Sequence, residues 1–143
     1  MKLKGLTSLK GLSLVAVLLL FFGGISYAGF EATSTNEFCG SCHVMERAYE
    51  SWYHSAHREP ISSCEDCHLP KNLGNKIVYK IGSGANDIYK NLTGPPDVIH
   101  AKDNTREIVN ENCVSCHAEL ITKIDLSGGG KCVDCHRGTP HGR

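Results

Sequence analysis

All eight cysteines of this 143-residue chain fall into a single pattern. Cys39 and Cys42, Cys64 and Cys67, Cys113 and Cys116, and Cys132 and Cys135 each enclose two residues. Each second cysteine is followed directly by histidine: His43, His68, His117 and His136. Two thiols at this spacing beside an imidazole form the attachment signature of a c-type haem. The thiols bond covalently to the porphyrin, and the histidine sits next to the iron. Tandem Cys-x-x-Cys pairs also suit a tetrahedral zinc site, and eight cysteines suit a disulfide framework. Neither needs a histidine after every second cysteine, yet it is there four times out of four. The pattern specifies four covalent haems. Only the first copy is followed two residues later by methionine, Met45, so one haem differs from the rest.

No residue from Gly11 to Phe30 is charged. Twenty helical residues span about 30 Å, the thickness of a bilayer's hydrocarbon core. Lys2, Lys4 and Lys10 precede the stretch and place the N-terminus in the cytoplasm. Two readings fit: a retained anchor, or a signal peptide cleaved at Ser26-Tyr27-Ala28. Both put the haem segment across the membrane, where bacteria complete covalent haem attachment. Residues 1–30 therefore read as an anchor or leader, and 31–143 as a periplasmic tetrahaem domain. Beyond the three leading lysines the chain carries 12 basic and 15 acidic side chains. No basic patch points to nucleic acid.

The residues after the anchor amount to about 28 per haem. So thin a polypeptide cannot build an ordinary hydrophobic core. The porphyrins must supply most of the buried apolar surface. The expected fold is mainly α with extensive loops, and little or no sheet. Met45, Ala48, Tyr49, Trp52 and Ala56 recur at helical spacing and predict a helix carrying His54 and His57, stopped by Pro60. Leu73, Ile77, Ile81, Ala85, Ile88 and Leu92 predict a second helix over 73–92. Gly82 and Gly84 interrupt it, either to break it in two or to admit a macrocycle close to the backbone. Thr105 to Asn112 reads as a third helix, and Ser127-Gly128-Gly129-Gly130 as a turn.

Four motif histidines fill half of eight axial positions, which leaves Met45, His54, His57, His100, His141 and any lysine as candidate further donors. Met45 sits too close to His43 in the chain to reach the opposite face of the same haem, so it competes for one face. Methionine ligation raises the potential relative to two histidines and suits an acceptor of electrons from a quinol. The competing reading makes Met45 a helix-face core residue. His57 and His141 lie too near the second and fourth motifs to fold back on their own haems, so each crosses to a neighbouring one. Lys80 and Asp87, two helical turns apart, share one face. Spacing alone makes them a solvated charged face; beside an open haem they would bind a quinol hydroxyl and take its proton.

The N-terminal anchor, the motif Cys39-x-x-Cys42-His43-x-Met45 and three further haem motifs resemble the NapC/NirT family of membrane tetrahaem quinol dehydrogenases. The short length, the Lys80…Asp87 spacing and the His136…His141 tail look most like the NrfH-type small subunits of cytochrome c nitrite reductase. The resemblance implies a retained, single-pass anchor in the bacterial cytoplasmic membrane. It implies Met45 in place of His43 on the first haem, Asp87 near that haem's vacant side, and Lys80 lining a quinol pocket. It further implies His141 opposite His68, His57 opposite His117, and a lysine of a partner subunit opposite His136. Gly94-Pro95-Pro96 stands where relatives have Gly-His-Pro, and His100 follows without an assigned role. The implied function is quinol oxidation with electron delivery to a periplasmic multihaem reductase, within a hetero-oligomer. The alternative is a plain electron carrier with no substrate site.

Overall fold

A computed structural model describes residues 8–96, 98–123 and 130–142. It is helical, with no β-strand among the described residues. Helix α1 runs from Leu9 to Ala32, capped by Ser8, whose hydroxyl accepts from the Gly11 N–H at 3.1 Å. Its most apolar 18 residues have a mean hydropathy of 2.1, and none of the helix's residues is buried by the rest of the chain. A 24-residue helix is about 36 Å long, enough to cross a bilayer core with some tilt. It passes without a break through Ser26-Tyr27-Ala28. Lys2 and Lys4 lie outside the described residues.

The rest of the chain consists of short helices punctuated by the motifs. Helix α2 (Asn36–Gly40) and a 3₁₀ turn (His43–Met45) carry the first motif. Helices α3 (Glu46–Tyr53) and α4 (Cys64–His68) follow. Then come α5 (Leu73–Thr93), α6 (Asp103–Cys116), α7 (Ala118–Ile121) and α8 (Cys132–Cys135). Helix α6 is the hub, since α4 and α8 both pack against it.

Three expectations from periodicity need correction. Helix α3 ends at Tyr53, so His54 caps it and His57 lies beyond it. The cause is Trp52, buried at 4% exposure, whose indole N–H needs a partner and donates to the His57 carbonyl at 2.9 Å. That bond turns the chain back before Ala56 can continue the helical stripe. Helix α5 is unbroken, so Gly82 and Gly84 do not divide it. Two glycines cost about 2 kcal/mol, less than abandoning a 21-residue ladder capped by Asn72. A Cβ at either glycine would meet no protein atom within 4 Å, so the backbone is bare on that side. The helix stops at Gly94, whose φ of +116° suits glycine alone, ahead of two prolines that cannot extend it. Finally, α6 exceeds the expected Thr105–Asn112 at both ends and absorbs both cysteines of the third motif. Ser127, Gly128 and Gly129, expected to form a turn, lie outside the described residues.

Among the described residues only two hydrophobic side chains are buried, Trp52 and Leu69. Ile77, Val78, Ile81, Ile88 and Leu92 of α5 all stand exposed. The polypeptide alone cannot hold this fold by apolar burial, in line with the expectation that the core is not made of side chains.

Candidate haem centre and anchor junction

In the second, third and fourth motifs both cysteines lie on one helix, three residues apart and so on one face. The histidine closes or directly follows that helix. The first motif differs. Helix α2 stops at Gly40, and Cys42 is extended, with φ −83° and ψ 131°. The His43 side chain is 98% exposed and its Nδ1 lies 3.2 Å from the Glu46 carboxylate. Met45 is half-buried on the following 3₁₀ turn. No cysteine forms a disulfide. The Cys64 N–H donates to Asn36 Oδ1 at 2.9 Å, so the start of the second motif is held against the helix of the first.

The histidines assemble in pairs across long sequence separations. The Nε2 atoms of His68 and His141 are 3.5 Å apart, with ring centres at 5.8 Å. Two metal–imidazole bonds of about 2 Å each span roughly 4 Å, so this pair fits an iron between its rings with little movement. His141 Nδ1 lies 3.0 Å from the Ala48 carbonyl, to which it donates, leaving Nε2 as the nitrogen able to bind a metal. Desolvation, with His141 beside it, holds the His68 pKa below its usual value although the residue as a whole is exposed, and neutral imidazole is the form that binds metal. His57 and His117 make a second pair, with ring centres at 6.1 Å. Neither His43 nor His136 faces another histidine among the described residues. His54 lies 3.7 Å from Glu50 and edge-on to the Tyr53 ring at 5.4 Å, and His100 is exposed. No three His, Cys, Asp or Glu side chains gather to hold a bare ion among the described residues. The donor set is one of paired imidazoles and paired thiols, as covalent haem requires.

Lys80 and Asp87 are not brought together. Asp87 is exposed and accepts from the Asn86 amide at 3.3 Å. Lys80 is 15% exposed and fully engaged. Its ammonium donates to Glu65 Oε1 at 2.7 Å, to the Phe30 carbonyl at 3.1 Å and to the Ser34 hydroxyl. It also lies 4.1 Å from the centre of the Phe30 ring, a cation–π contact. Lys76 takes the other Glu65 oxygen at 2.6 Å. Desolvation works to raise the Glu65 pKa, but hydrogen bonds from Lys76, Lys80 and Ser34 outweigh it and hold the carboxyl below its usual range. Lys80 therefore does not sit on a solvated face. It ties α5 to the end of α1 and to the second haem motif.

Residues 2–119 match the N-terminal region of the NapC/NirT cytochrome c family. The chain belongs to that family. It is 39% identical to the cytochrome c nitrite reductase subunit NrfH of Nitratidesulfovibrio vulgaris over 117 residues, 80% of this chain and 72% of that one. It is 36% identical to the cytochrome c-type protein NrfH of Wolinella succinogenes over 121 residues, 73% of this chain and 67% of that one. A putative tetraheme cytochrome of Allochromatium vinosum is 32% identical over 171 residues, covering 94% and 91%. Among solved structures, one chain of the cytochrome c nitrite reductase NrfHA complex bound to the HQNO inhibitor superposes with a TM-score of 0.75. It is 34% identical, over 92% of this chain and 90% of that one. As a NapC/NirT cytochrome the protein carries covalent haem, and with α1 it is a single-pass, membrane-anchored chain.

Three asparagines at the centre of this NapC/NirT domain escaped the reading by motif. Asn36 is 3% exposed; its Oδ1 accepts from the Cys64 N–H at 2.9 Å and its amide donates to Glu59 at 2.6 Å. Asn112, 5% exposed, donates to the carbonyls of Cys67 and Leu69 at 3.0 and 2.9 Å. Asn110 Oδ1 accepts from the Cys132 N–H at 2.8 Å. The signal was present as a repeat: Asn36-Glu37-x-Cys39-x-Ser41-Cys42-His43 recurs as Asn110-Glu111-x-Cys113-x-Ser115-Cys116-His117.

Proposed function

We propose that the chain is a tetrahaem quinol dehydrogenase subunit that oxidises a quinol at the membrane and passes electrons to a periplasmic multihaem nitrite reductase. The carrying observation is the facing of His68 with His141 and of His57 with His117, which supports two histidine-ligated haem sites in a chain similar to nitrite reductase subunits. All eight cysteines hold haem in this reading, and His136 takes its second ligand from the partner subunit. Met45 ligates the first haem, because His43 is turned to solvent and Glu46. The haem domain lies on the periplasmic side, following the leading lysines.

Covalent haem supplies a series of one-electron acceptors. A quinol loses two electrons and two protons to become quinone. Asp87 presents its exposed carboxylate to the quinol hydroxyl and accepts the proton. Lys80 places a fixed positive charge at the anchor junction, held there by Glu65. The bare backbone at Gly82 and Gly84, between these two residues, admits a planar ring close to α5. The full engagement of Lys80 favours a second reading, a plain electron carrier in which this lysine is only a structural tie. Purifying the complex from membranes, identifying the bound subunit and supplying menaquinol with nitrite tests the proposal. Menaquinol-dependent ammonium formation is expected. A chain that leaves the membrane alone and ignores menaquinol refutes it.

A further inference from the structure

The geometry points to Asn36 and Asn110 as equivalent positioning residues, each fixing the odd-numbered haem motif against the one that follows it. The argument starts from an unmet need. The first amides of a helix have no partner within it, and α4 and α8 begin at Cys64 and Cys132. Neither of these N–H groups is satisfied by its own segment. Cys64 donates to Asn36 at 2.9 Å and Cys132 donates to Asn110 at 2.8 Å. Both asparagines stand three residues before the first cysteine of the preceding motif, Cys39 or Cys113.

The surroundings repeat as well. Ser41 and Ser115 hydroxyls donate to the Phe38 and Asn112 carbonyls at 2.7 and 2.8 Å. Asp66 and Asp134 carboxylates accept from the Ser63 and Lys131 amides, both at 2.9 Å. The same set of bonds is thus built twice, once for motifs one and two and once for motifs three and four. Asn112 joins the two sets through the Cys67 and Leu69 carbonyls. Each clamp ends on the backbone of a haem-bearing cysteine, so it fixes the cysteine itself rather than a neighbouring loop. Since one-electron transfer between haems falls steeply with distance, a clamp at this atom sets the separation that matters. The inference rests on the haem reading above but not on quinol or nitrite as substrates.

The test uses the full-length haem-loaded protein with Asn110→Ala, Asn110→Asp and Asn36→Ala. Amide hydrogen exchange at Cys64 and Cys132 and electron paramagnetic coupling between haems are measured, and neither depends on turnover. Asn110→Ala is expected to speed exchange at Cys132 about tenfold, the loss of one hydrogen bond, and to alter coupling between the third and fourth haems. Asn36→Ala should do the same at Cys64 and leave Cys132 unchanged. Asn110→Asp keeps the accepting oxygen and should match the wild type in both measurements. Wild-type exchange and coupling in both alanine variants overturn the inference. If the alanine variants fail to incorporate haem, Asn110→Asp decides: normal haem content and coupling uphold the clamp, and their loss overturns it.

Discussion

Replacing Glu65 with glutamine should weaken the protein far more than removing any exposed ion pair. Glu65 is 13% exposed and its two oxygens bind Lys80 and Lys76 at 2.7 and 2.6 Å. Hydrogen bonds to charged groups contribute about 1.5–3 kcal/mol each, and removing one partner of a buried pair costs about 3–5 kcal/mol. Glutamine keeps the volume and one accepting oxygen, and Lys80 retains Phe30 and Ser34. The net loss should therefore be about 2–4 kcal/mol, lowering Tm by about 6–15 °C. The comparison is Lys71→Met, which removes the Asp66 pair at 3.5 Å with both side chains half exposed; such a pair contributes about 0–1 kcal/mol. Unfolding in detergent micelles, followed by circular dichroism of the haem band, gives both values. A cycle combining Glu65→Gln with Lys80→Met should return a coupling of at least about 1.5 kcal/mol. If Glu65→Gln lies within about 0.5 kcal/mol of the wild type, the reasoning from burial is wrong.

Acid should act through the same carboxylate. The Glu65 pKa is depressed in the folded state, so its contribution is complete above the unfolded value of about 4.3 and is lost as pH falls through the lower folded value; the unfolding curves of wild type and Glu65→Gln should converge below about pH 4. Asp87→Asn should lower menaquinol oxidation at least tenfold, about 1.4 kcal/mol of transition-state stabilisation, with haem content and dithionite reduction unchanged. Lys80→Met should lower both that rate and stability, because it also cuts the tie to Phe30. His57→Ala and His141→Ala should each turn one low-spin haem high-spin or block its insertion, read in the visible spectrum; wild-type spectra in both refute the pairing. Intact mass of the mature protein should include residues 1–28, and a chain beginning at Gly29 would remove the anchor.

What was legible in the sequence was whatever depends on spacing. The cysteine motifs name their own cofactor, and the long apolar stripes of α1 and α5 place helices that the structure finds, α5 beginning at the expected Leu73. Short periodic runs were less reliable. The stripe from Met45 to Ala56 was real only as far as Tyr53, because one indole N–H outweighed the remaining turn. Partners across the fold were illegible. Nothing local in Lys80 announces Glu65 and Phe30, so helical spacing, which set it on one face with Asp87, did not reveal the partners that hold it. The asparagine clamps lie between these cases: the repeat was visible, but its purpose depended on seeing Cys64 and Cys132 at the starts of helices.

The bond from Lys80 to the Phe30 carbonyl makes α1 a rigid post instead of a tether. A flexible leash would let the haem domain wander over the bilayer surface. Here the last turn of the span is riveted to α5 and, through Lys80, to Glu65, the residue beside Cys64. The uncharged stretch from Gly11 to Phe30 is about 30 Å long, the thickness of the hydrocarbon layer. The rivet sits at the end of that stretch, so it would hold the second motif at a set height above the lipid.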